Sequence, residues 1–150
     1  MAPNRYTELF FLDEATALAA GHRPCYECRR ARFVAFRAAW ANGSVSPLDP
    51  AEIRVATIDT QLHAERTKPD RSQQGPMANI DELPDGTFLK LRGDAWLIWQ
   101  SRLHMWSPGA YCKRVRRPSD MSVHVLTPHS TVAALRAGYV PQVHSSASRP

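Results

Sequence analysis

The sequence predicts an α+β fold, with helices in the first half and a small antiparallel sheet in the second. Three observations carry this. Apolar residues recur at helical spacing up to about residue 66, the period changes to that of strands after Leu83-Pro84-Asp85-Gly86, and the two patterns follow one another instead of alternating as in a parallel α/β sheet. At 150 residues the chain is one domain, or one domain with a small appendage, and needs neither metal nor disulfides to bury a core.

The elements are predicted in order. Residues 6–12, apolar and aromatic, read as a short strand ended by Asp13. Asp13 is then a good N-cap for an alanine-rich helix over 14–20, with Gly21 just past its end. Residues 21–28 form a turn in which Pro24 fixes the backbone before Cys25. A second helix over 29–41 carries Phe33, Phe36 or Arg37, and Trp40 at helical spacing, closed by Asn42-Gly43. After a proline-marked break, Asp49-Pro50 opens a third helix through about Arg66, with Val55, Ile58 and Leu62 on one face. Residues 67–78 hold almost no large apolar side chain and read as an exposed loop. Residues 87–92, a Gly93-Asp94 turn and residues 95–99 then read as a hairpin, 102–106 as a third strand and 123–126 as a fourth. Trp96 and Trp99 fall on opposite faces of their strand and read as core. A short helix over 131–137 follows Thr127-Pro128-His129-Ser130, and the tail from Ser145 is expected to fray. The expected division is 1–45, a metal-binding segment; 46–80, helix and loop; and 81–150, a β-rich unit, the whole compatible with one compact domain.

The longest apolar run is too short to cross a bilayer, and the N-terminus shows no basic stretch followed by a long apolar one. Three cysteines, two of them spaced C-x-x-C, fit a reducing, cytoplasmic setting better than a disulfide framework. The formal charge of +5 and pI near 9.5 fit an anionic partner, nucleic acid being the commonest. Arg23, Arg29, Arg30 and Arg32 crowd the cysteine pair and are the expected phosphate contacts; Lys113, Arg114, Arg116 and Arg117 form a second cluster beside Cys112.

Cys25 and Cys28 suit one ion, because two intervening residues let the chain turn back on itself. Half of a zinc site, a redox pair and two inert thiols are the readings open to this spacing, and the redox reading lacks its βαβ context. The run from Phe10 to Arg29, with its core Ala-Gly-His-Arg-Pro-Cys-Tyr-Glu-Cys-Arg, resembles the metal-binding domain of the Ada DNA-alkylation repair proteins. The resemblance implies that Cys25 and Cys28 ligate a structural Zn2+, and it implies DNA more than RNA as partner. In that family an upstream cysteine pair completes the zinc site, and one of its members accepts a methyl group from a DNA phosphotriester. No cysteine precedes Tyr6 here, His22 replaces an aromatic and Arg30 a proline, so no residue is expected to accept a methyl group. A start codon further upstream would account for the missing pair. Within the chain, Cys112, His22 and His63 are the candidates to complete the site.

His63-Ala64-Glu65 together with Pro24-Cys25-x-x-Cys28 also contains the elements of the zinc deaminase signature, with Glu65 as proton shuttle, but in reversed order. Trp96, Trp99, Trp106 and Tyr111 are stacking candidates for single strands, or simply sheet core. The expected function is nucleic-acid-associated zinc binding without alkyl transfer. A zinc hydrolase using Glu65 and a metal-free interaction module are the alternatives.

Overall fold

The computed structural model describes residues 9–44, 49–66 and 76–148, and its architecture is α+β. Helix α1 (Glu14–Ala19) starts at the expected cap: the Asp13 carboxylate accepts the Thr16 N–H at 2.8 Å. Helix α2 is Arg30–Gly43 and α3 is Val55–Arg66. Six strands follow among the described residues: β1 (Met77–Asn79), β2 (Phe88–Leu91), β3 (Asp94–Trp99), β4 (Arg102–Ser107), β5 (Ala110–Arg116) and β6 (Ser122–Val125). Helix α4 (His129–Arg136) comes last, before a 3-10 turn at Ser145–Ala147.

The strands form one sheet in the order β1-β6-β2-β3-β4-β5, with every pair antiparallel. β2 and β3 are joined by Arg92-Gly93, and β3 and β4 by Gln100-Ser101. All four residues have positive φ, the signature of the two-residue turns whose twist matches that of the flanking strands.

Several expectations are corrected. Leu9 to Leu12 joins no strand of the sheet, whereas residues 6–8 of that expected strand lie outside the described residues. The third helix begins at Val55; Asp49 instead closes a separate turn, its carboxylate accepting the Ala51 N–H at 2.8 Å. Of the expected exposed loop, Met77 and Ala78 belong to β1, which pairs with β6, and residues 67–75 lie outside the described residues. Strand β5 was not anticipated, because Lys113, Arg114 and Arg116 leave little apolar signal in it. Gly43 lies inside α2 and not beyond it; a Cβ there would sit 2.6 Å from the Ala133 carbonyl oxygen of α4. The tail is anchored through Ser148: Ala147 is buried, and the Ser146 hydroxyl accepts the Tyr111 N–H at 2.9 Å.

The core has three parts. Leu18, Phe33, Phe36, Ile58, Leu62 and Leu135 pack between the four helices, drawing on all three sequence stretches. One face of the sheet buries Leu89, Trp96, Ile98 and Leu103 against Ile80 and Val132. The other buries Phe88, Leu97 and Tyr111 against Ala15 of α1, with Trp99 and Trp106 packed beside them. Trp96 and Trp99 therefore do lie on opposite faces.

Candidate metal centre and basic surfaces

The cysteine turn is set up by the end of α1. The Gly21 N–H bonds to the Leu18 carbonyl and the His22 N–H to the Ala17 carbonyl, both at 2.9 Å, the paired bonds that stop a helix and turn the chain. Pro24 is buried behind the turn, which leaves Cys25 and Cys28 exposed as free thiols. The Cys28 N–H points at Cys25 Sγ, 3.4 Å away, and the Arg29 N–H bonds to the Cys25 carbonyl at 3.1 Å. The Cys28 N–H, and after it the Cys28 thiol, hold the Cys25 thiol below its ordinary pKa. A backbone N–H directed at the sulfur favours the thiolate form of Cys25.

The other candidate ligands are elsewhere. Cys112 is exposed on β5, its Sγ nearest the Met105 carbonyl at 3.6 Å. The His22 ring packs against Phe11 with centroids 5.2 Å apart; burial, then the Arg66 charge, lowers its pKa against the pull of Asp59. His63 is exposed on α3. Every cysteine and histidine of the chain lies among the described residues, and no three His, Cys, Asp or Glu side chains there gather to hold an ion. The thiol pair thus fits two positions of a tetrahedral thiolate site. Cys112, His22 and His63 are not brought to it.

Of the four arginines expected to contact phosphate, three are engaged by the protein. Arg23 forms a two-pronged pair with Asp59 at 2.8 and 2.9 Å, its guanidinium 5.3 Å from the Phe33 ring. Arg29 donates to the Gln142 side chain and lies 3.9 Å from Glu14. Arg32 pairs with the buried Glu14 carboxylate, donates to the Val140 carbonyl at 2.6 Å and lies over the Tyr139 ring. Arg30 alone of the four has no carboxylate partner among the described residues; it lies over the Tyr26 ring at 4.8 Å. Sequence spacing put these side chains near the cysteines but carried no sign of their acidic partners, which are distant in the chain.

The second cluster divides. Arg117 turns inward and donates to the carbonyls of Ile80 and Leu83, the latter at 2.9 Å. Lys113, Arg114 and Arg116 are exposed on β5.

Glu65 accepts hydrogen bonds from the Ser130 N–H at 3.0 Å and the Ser130 hydroxyl at 2.8 Å, capping the start of α4 from a neighbouring helix. It also accepts the Gln61 amide at 2.8 Å. A carboxylate at a helix N-terminus is favoured by the unpaired N–H groups there. Glu65→Gln is expected to lower stability by about 1 kcal/mol, read as an earlier urea midpoint at unchanged slope.

Among the described residues, no helix is long and apolar enough to cross a membrane. No family model, curated protein or solved structure matches the chain.

Proposed function

We propose that this chain is a nucleic-acid-associated zinc-binding protein, in which Cys25 and Cys28 hold a structural metal and no residue accepts an alkyl group. The observation that carries the reading is the exposed thiol pair on a braced turn, with the Cys28 N–H directed at Cys25 Sγ. The likeness of residues 10–29 to the Ada metal-binding domain supports zinc as the metal, and the formal charge of +5 supports a polyanionic partner. Zinc bound here would take both cysteines as thiolates, release their protons and fix the turn between α1 and α2.

Metal analysis of protein purified without chelator tests this. Wild type is expected to carry zinc, and Cys25→Ser and Cys28→Ser to lose it. Both thiols are exposed, so neither change is expected to move the melting temperature of the metal-free protein. Wild type free of zinc after reconstitution would overturn the metal assignment. Absence of DNA or RNA binding at low salt would overturn the partner.

A further inference from the structure

The pairing of β4 with β5 sets like charges opposite one another. Arg102 faces Arg116 across the two strands, and His104 faces Arg114 in the next pair on the same side. Trp99 of β3 stands beside Arg102, so one row runs Trp99, Arg102, Arg116 across three strands. Neighbouring strands lie about 4.8 Å apart and same-face residues along a strand about 7 Å apart, which draws these side chains into one small patch. Neither β4 nor β5 contains an aspartate or glutamate. Arg102 and Arg116 are exposed and have no ion-pair partner among the described residues.

The field of this patch is felt by the buried His104, whose ring nitrogen lies 3.2 Å from the Trp99 carbonyl. Burial, followed by Arg114 and Arg102, disfavours its protonation, while the Trp99 carbonyl and Asp85 pull the other way. Asp85 itself accepts the Gln100 N–H at 2.8 Å.

A charged edge strand discourages sheets from pairing with one another. That accounts for the charge on β5 but not for Arg102, which sits one strand inside the edge and directly opposite Arg116. Opposed cations repel unless an anion lies between them. From this we infer that the β4–β5 face, and not the cysteine turn, is where the phosphate backbone of a nucleic acid binds, with Arg102 and Arg116 gripping adjacent phosphates. This rests on the nucleic-acid reading above and moves its contacts to a different surface. Arg23, Arg29 and Arg32 are engaged internally, whereas Arg102 and Arg116 are available.

Fluorescence anisotropy with a labelled oligonucleotide, single-stranded and as a duplex, between 50 and 200 mM salt, tests it. In Arg102→Gln/Arg116→Gln, affinity at low salt is expected to fall about tenfold, and the dependence of log K on log salt to flatten by about 1.4 on single strands or about 1.8 on duplex. The oligonucleotide that wild type binds more tightly marks the preferred ligand. Arg30→Gln/Arg54→Gln removes the same formal charge elsewhere, from exposed residues at the start of α2 and just before α3, and is expected to flatten the slope by less than half as much. Melting temperature is expected to stay level or rise in the β4–β5 variant, because a repulsion is removed; Arg116→Gln alone, on the edge strand, serves if the double variant fails to fold. Equal losses in both pairs, or loss in the Arg30 pair alone, would overturn the site while leaving nucleic-acid binding intact. Wild type that binds neither oligonucleotide would overturn both.

Discussion

Replacing Glu14 with alanine is expected to lower the stability of the fold by about 3 kcal/mol. The Glu14 side chain is only 3% exposed and holds Arg32, which is 28% exposed, so most of this ion pair is out of water. Its carboxylate also accepts the Gln142 N–H at 2.8 Å. Removing it takes the carboxylate from the Arg32 guanidinium, which keeps only the Val140 carbonyl, and leaves the Gln142 N–H without its acceptor, each at a cost. Urea unfolding reads the loss directly. The pH dependence follows from the same contacts. Burial raises the pKa of Glu14, but the bonds from Arg32 and the Gln142 N–H, with the nearby Tyr139 hydroxyl and the Arg32 charge, outweigh it and leave the group below its ordinary 4.5. A depressed carboxyl stabilises the folded state fully above the unfolded value and ceases to do so as pH falls through the folded one. Wild type is therefore expected to lose stability below about pH 4.5 more steeply than Glu14→Gln, which has no such proton to take up. Parallel acid limbs in the two proteins would refute the assignment.

Gly86→Ala is expected to cost about 3 kcal/mol, from two terms of the same sign. The backbone there has φ +90°, a conformation that side chains rarely adopt, and a Cβ would lie 2.8 Å from Pro141 Cγ and 3.1 Å from Leu135 Cδ2. The Gly86 N–H is committed to the Ile98 carbonyl at 2.8 Å, so the turn does not swing away freely. The loss is expected as a lower urea midpoint with unchanged slope; a midpoint within experimental scatter of wild type would show that the turn relaxes.

What could be read in advance was local. Asp13 as a cap, the stop at Gly21, the hairpin about Gly93 and the opposed faces of Trp96 and Trp99 all depend on residues a few positions apart. What escaped was set by distant partners. Met77–Asn79 is a strand only because Ser122–Val125 lies beside it, and its own residues carry no strand period. Three of the seven residues of β5 are charged and break its apolar period, so its identity comes from pairing with β4. The same limit applied to the site. The C-x-x-C turn was legible because its spacing is its chemistry. The arginines around it were legible as charge but not as the internal partners of Glu14 and Asp59, which lie 18 and 36 positions away from Arg32 and Arg23. Arg102 became significant only once β5 placed Arg116 across from it.

The adjoining acids Asp13 and Glu14 have a bearing on how the chain is made. Asp13 accepts the Tyr111 hydroxyl, 98 positions on, and the His144 N–H, 131 positions on; Glu14 accepts the Gln142 N–H, 128 positions on. A nascent chain therefore displays α1 with its two carboxylates incompletely answered until residues 139–144 have been synthesised. Contacts of such long range close late, after the entropy of the intervening chain has been overcome. Translation that stops before this stretch leaves a helix whose acidic end has lost its closing partners, a defect that raises the unfolded fraction and exposes the product to proteolytic clearance. Closure of these contacts thus requires that synthesis has passed residue 144.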